Sequence, residues 1–174
     1  SAARRDHLEA GPRRGAQPVI ASGLLACAAM VEASDPDRFA ATMAAPPPAR
    51  ARLWPLYAYN LELARAAWAS PEPLVCQMRL QWWIDLAGGL GRGGAPLAHE
   101  VAGPLSELVR ESGLSVGLLQ DMAEARVWDT GHQAFPDPDA LFAYIDRTAG
   151  HLMWAAARVL GAPDAAETAV RDFA

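Results

Sequence analysis

Lysine is missing altogether: all 15 basic residues of the 174 are arginine, set against 20 acidic ones for a formal net charge of −5. An acidic chain without a basic stripe cannot neutralise a run of phosphates, so nucleic acid is excluded as a partner. The arginine-only usage reads as codon bias in a GC-rich genome rather than as a recognition surface. Cysteine is almost absent too. Cys27 and Cys76 have neither CxxC spacing nor a histidine beside them, which excludes a disulfide framework and a zinc site and predicts buried free thiols of a reducing compartment.

No apolar run is long enough to cross a bilayer; the longest, Val19 to Val31, is too short. With Arg13-Arg14 before it and Leu24-Leu25-Ala26-Cys27 inside it, that run imitates a secretory signal with a lipoprotein-type cysteine. The same residues make a first helix, and that reading is preferred, for a cytoplasmic protein that is at most peripheral at the inner face of a membrane. The glycine-rich stretch Gly88-Gly89-Leu90-Gly91-Arg92-Gly93-Gly94 has no lysine and no strand before it, so it reads as a flexible surface loop and not as a phosphate-binding loop.

What is present is alanine-rich and apolar, with 52% hydrophobic and only 20% charged residues. Such a composition favours closely packed helices, so the expected class is all-α, with one domain over 19–174 behind a loose Arg-rich arm, Ser1 to Pro18. Helices are expected over Val19–Ala33, Ser34–Ala45 (capped by Ser34 or Asp35, with Pro36 in the first turn), Ala49–Trp68 and Ser70–Ala87. Further helices are expected over Pro96–Glu111 with an interruption at Gly103-Pro104, over Ser115–Asp129, over Ala140–Leu160 closed by Gly161, and from Pro163 onward. In the third helix Leu53, Leu56, Tyr57, Asn60, Leu61 and Ala64 are spaced as one buried face.

Residues that could carry chemistry are few. Glu62 is the lone acid of the third helix and pairs with Arg65 at i+3. His99, His132 and His151 are dispersed, without a ligand partner one turn away. Asp121, Glu124, Arg126 and Asp129 read as a solvated charged helix face. Trp82, Trp83, Trp128 and Trp154 read first as core residues and only second as the wall of a pocket.

One segment points to a family. Leu56-Tyr57-Ala58-Tyr59-Asn60-Leu61-Glu62-Leu63-Ala64-Arg65-Ala66-Ala67-Trp68 resembles the squalene/phytoene synthase pattern Leu-Tyr-Ala-Phe-Cys-Arg-x-x-Asp-Asp-x-x-Asp. Arg79-Leu80-Gln81-Trp82-Trp83 resembles the family's Trp-containing helix, and Tyr144-Ile145-Asp146-Arg147-Thr148-Ala149-Gly150 its Tyr-Cys-Tyr-x-Val-Ala-Gly element. The resemblance implies an isoprenoid-synthase-like helical bundle, incomplete at the C-terminus, and an ancestral magnesium-dependent condensation of prenyl diphosphates. It also implies a relic lipid cavity lined by Phe39, Tyr57, Leu61, Trp82, Tyr144 and Gly150, with small residues such as Gly150 leaving room for an isoprenoid tail.

The departures point away from that chemistry. The three Asp positions hold Ala64, Arg65 and Trp68, the family's diphosphate-binding Arg is Leu61, and Asp35, Pro36 and Asp37 precede Phe39 where an anion would have to sit. A second Asp-rich motif is expected beyond the Ala-Gly element and does not occur before Ala174. No catalytic residue, metal ligand or cofactor is therefore assigned, Mg²⁺ being required only if the chain is an active squalene or phytoene synthase after all. The compact spacing from Ser70 and Glu72 to Trp82 is similar to that of a mitochondrial assembly factor for NADH dehydrogenase in the same family. That likeness implies a non-catalytic accessory or assembly role at a membrane respiratory complex, with a protein partner or a lipid tail as ligand.

Overall fold

A computed structural model describes residues 16–90 and 99–174, with side chains from Ser22 onward in the first helix. The expected arm up to residue 15 and most of the glycine-rich loop lie outside the described residues. Among the described residues the fold is all-α. Its helices are α1 (Ala16–Ser34), α2 (Pro36–Met43), α3 (Pro47–Ala67), α4 (Pro73–Gly89), α5 (Ala102–Ser112), α6 (Val116–Ala125), α7 (Pro138–Ile145), α8 (His151–Val159) and α9 (Glu167–Phe173). The residues Ala16 to Pro18, expected in the arm, form the first turn of α1.

Helix starts follow side-chain chemistry. Asp35 caps α2 by accepting the Arg38 backbone N–H at 3.1 Å, with Pro36 in the first turn, and Asp137 caps α7 by accepting from Ala140 at 2.7 Å. Proline marks further starts, one of them at Pro104 where an interruption was expected. Pro47 and Pro48 open α3, and Pro104 sits in the first turn of α5, because a first-turn residue has no intrahelical acceptor for the N–H that proline lacks. Gly161, at φ 99°, closes α8: its N–H reaches Arg158 O and that of Ala162 reaches Ala157 O, both at 2.9 Å, the paired bonds of a Schellman end.

α3 is the central helix, packed by α1, α4, α5 and α8, while α4 packs chiefly on α6. Its deeply buried positions are Leu53, Trp54, Leu56, Ala58, Tyr59, Leu63, Ala66 and Ala67. The expected buried face is thus displaced: Tyr57, Asn60, Leu61 and Ala64 are half-buried and form the outer side of the same helix. A helix enclosed by neighbours on most sides carries apolar residues almost all round, so its periodicity does not mark which stripe lies deepest. Each large side chain in this core contributes about 1.5–3 kcal/mol through burial.

The long helix expected over Ala140–Leu160 is interrupted by a π-turn, Asp146–Gly150, between α7 and α8. One extra residue in the turn breaks the regular ladder, and the Thr148 hydroxyl donates to the carbonyls of Tyr144 at 2.7 Å and Ile145 at 3.3 Å. Both cysteines are free and buried, and burial pushes the Cys27 thiol up to about 12. No helix among the described residues is long and apolar enough to cross a membrane.

Candidate functional site

Tyr57, Leu61, Ala64 and Trp68 share one side of α3 at three- and four-residue spacing, the side on which the resemblance would place metal-binding carboxylates. Arg38 of α2 lies over the Tyr57 ring at 5.2 Å, and burial raises the phenol against the opposing pull of that guanidinium. Arg38 also pairs with the Asp35 carboxylate, so the acid expected to repel an anion ahead of Phe39 is a neutralised cap. Arg65 is fixed by Glu62 at 3.3 Å and by the Ser34 hydroxyl at 2.6 Å. Trp68 is 66% exposed, with the His132 ring 4.5 Å away.

Magnesium needs a cluster of oxygen ligands. No three His, Cys, Asp or Glu side chains converge to hold a metal among the described residues. A cationic Arg65, an apolar Ala64 and an indole at Trp68 therefore do not fit the ion that the resemblance implies.

Around the helix from that side, α3 and α4 form an open cleft of ≈ 580 Å³. Its lining comes from Glu62, Arg65 and Ala66 of α3, Ala69 just past its end, Arg79, Trp82 and Trp83 of α4, and His99 ahead of α5. Trp83 is buried and Trp82 is 44% exposed; their rings meet edge to face at 4.7 Å, and each stands 5.2 Å from His99. The residue spacing could have found only part of this cleft, because its wall comes from three separate segments.

Of the residues expected to line a lipid cavity, Trp82 lines this cleft and the other five do not. Phe39 stacks on Trp54 at 5.2 Å, and Leu61 is partly buried against the core. Tyr144 donates to Asp129 at 2.7 Å and lies 3.0 Å from Arg126; burial first, then Asp129, pushes its phenol up to about 12. The space above Gly150 is not open to a tail. A Cβ there would stand 2.6 Å from Asp146 Oδ1, so the small residue accommodates a carboxylate of its own π-turn.

The charged face of α6 is not simply solvated, as its sequence suggested; it docks the π-turn and the first residue of α8. Asp121 takes the Arg147 Nε at 2.9 Å and faces His151 Nε2 at 2.9 Å, and the Arg147 contact holds its carboxyl below the usual range against partial burial. Across the buried His151 ring, Nδ1 is 2.8 Å from the Asp146 carbonyl and 2.9 Å from the Arg171 guanidinium of α9. Spacing of like and unlike charges within α6 carried no sign of these partners, which come from 26 and 30 residues further along.

On the outer side of α4, Leu74 and Met78 are each 67% exposed and stand in line with Trp82, four residues apart, with Val75 beside them. Apolar side chains aligned in this way form a patch, unlike the scattered exposed residues of an ordinary surface.

The squalene/phytoene synthase family model matches residues 31–174, which is most of the chain. No curated protein and no solved structure matches it.

Proposed function

The chain belongs to the squalene/phytoene synthase family, and from that premise we propose that it works by binding a partner and not by prenyl transfer. The observation that carries this reading is the side of α3 where the family's carboxylates would stand, occupied by Ala64 and Trp68 and flanked by an Arg65 already held by Glu62 and Ser34. A cation there would repel Mg²⁺, and its one acidic neighbour, Glu62, is taken up in pairing with it rather than offered to a metal.

The partner in this reading is a protein, met by the Leu74, Met78 and Trp82 stripe of α4. A helix face of this kind supplies the apolar centre of an interface, with Gln81 and Asp85, bonded to each other at 2.8 Å, at its polar rim. The role is that of an accessory or assembly factor for a membrane respiratory complex, at the cytoplasmic face of the inner membrane. Support for that finer role comes from the compact spacing between the altered motif of α3 and the Trp-containing α4. No cofactor is required.

The test is affinity purification of the tagged protein from its source, with respiratory-complex subunits quantified against a Leu74→Asp/Met78→Asp variant. Recovery with the wild type and a loss of at least about tenfold with the variant is expected, since two anchors in an interface centre commonly cost more than about 1.4 kcal/mol. Equal recovery from both would overturn the assignment to α4.

A further inference from the structure

We propose that the cleft between α3 and α4 binds a small amphiphile that ends in a carboxylate or phosphate. This goes beyond the protein-binding role, and its polar anchor, Arg79, is not part of the α4 stripe. Its volume, ≈ 580 Å³, falls in the range of small-molecule sites. The cleft also stands round α3 from the side that carries Ala64 and Trp68, and of the three positions where the resemblance would place carboxylates only Arg65 lines it.

The chemistry of the lining selects the ligand. Arg79 has no hydrogen-bond or ion-pair partner among the described residues, and its guanidinium is free to receive an anion. Nδ1 of His99 accepts the backbone N–H groups of Val101 at 3.2 Å and Ala102 at 3.3 Å. The neutral ring must then carry its proton on Nε2, which makes the remaining edge of His99 a donor. Arg65 adds a second cation, and Glu62, the one acid of the lining, is occupied by it at 3.3 Å. Two guanidiniums, an imidazole N–H and a single spoken-for carboxylate make the polar part of the cleft donor-rich and net positive.

Beside those donors the wall is apolar: Ala66, Ala69 and the rings of Trp82 and Trp83. An anionic head on the Arg79 guanidinium and an apolar body against the indoles satisfies both halves. A free inorganic anion would leave the indoles bare, and an uncharged amphiphile would leave Arg79 unpaired.

Isothermal titration of the full-length protein with dodecanoate, dodecyl phosphate, inorganic phosphate and uncharged dodecyl maltoside, each below its micelle concentration, tests the assignment. One-to-one binding of at least one anionic amphiphile is expected, with Arg79→Gln weakening it on the order of tenfold or more, as loss of a charge-assisted contact does. Glu62→Gln, which removes the competing acceptor, is expected to strengthen it several-fold, a gain that a structural role of Glu62 would not produce. Arg110→Gln, at an exposed position of α5 away from the cleft, serves as the control that leaves affinity unchanged. Dodecyl maltoside binding as tightly as the anions, inorganic phosphate alone binding as tightly as the amphiphiles, or an Arg79→Gln affinity equal to wild type would each overturn the proposal. So would the absence of binding by both anionic amphiphiles.

Discussion

Asp121→Asn removes the charge that joins α6 to the π-turn and the start of α8. In the native protein one carboxylate oxygen receives Arg147 through Nε at 2.9 Å and through a second guanidinium nitrogen, while the other faces His151 Nε2 at 2.9 Å. An amide keeps the shape but replaces one acceptor with a donor, so one of these contacts is lost and the other loses its charge assistance. Charge-assisted bonds contribute about 1.5–3 kcal/mol each when shielded. The Asp121 side chain is 34% exposed, so solvent screening brings the expected loss to about 1–2 kcal/mol at neutral pH.

The pH dependence has a definite sign. The folded carboxyl titrates below its ordinary value of 3.8, chiefly because of the Arg147 contact. Its contribution is complete above the unfolded value and fades as the pH falls through the depressed folded one. Urea unfolding of wild type and variant should therefore differ by that amount at pH 7 and converge as the pH falls below the ordinary carboxyl value and through the depressed folded one. A difference that persists undiminished at the lowest pH, or is already absent at pH 7, would refute the reasoning.

Three other substitutions probe separate links. Tyr59→Phe should cost about 1–3 kcal/mol in chemical denaturation, because the fully buried hydroxyl donates to the Leu119 carbonyl at 2.7 Å; a change below about 0.5 kcal/mol would contradict that bond. Gly150→Ala should displace the Asp146 carboxylate and release its 3.1 Å contact to Arg171, with the gain in helix propensity, about 1 kcal/mol, nearly cancelling the loss. Global stability is then expected within about 1 kcal/mol of wild type while amide exchange over Glu167–Phe173 accelerates, and unchanged exchange there would contradict the tether. Gly23→Ala should destabilise, because the new Cβ would stand 2.6 Å from the ring of Pro104, which cannot rotate away; a rise in Tm would refute that close approach of α1 to α5.

Local chemistry was legible in the sequence and distant partnership was not. The Asp35 cap, the Gly161 end and the Glu62–Arg65 pair each depend on residues within one turn of each other, and each is present as expected. The depth of the α3 stripe was misplaced because neighbours surround that helix, and the π-turn was invisible because a single inserted residue leaves the apolar spacing on either side plausible. The bonds from Asp121 to His151, Arg65 to Ser34 and Arg52 to the Val159 carbonyl at 2.9 Å join segments whose meeting is decided by the packing of the whole bundle. Likewise Trp82 was picked out by its motif, but Arg79 and His99 gain meaning only through the cleft they share with it.

The central claim is that a family member with Ala64, Arg65 and Trp68 on α3 has no prenyl-transfer chemistry. Its most direct test is the release of diphosphate from farnesyl and geranylgeranyl diphosphate by the purified full-length protein, measured with and without Mg²⁺. The expected result is no release above the protein-free rate at any Mg²⁺ concentration; saturable, Mg²⁺-dependent release would contradict it.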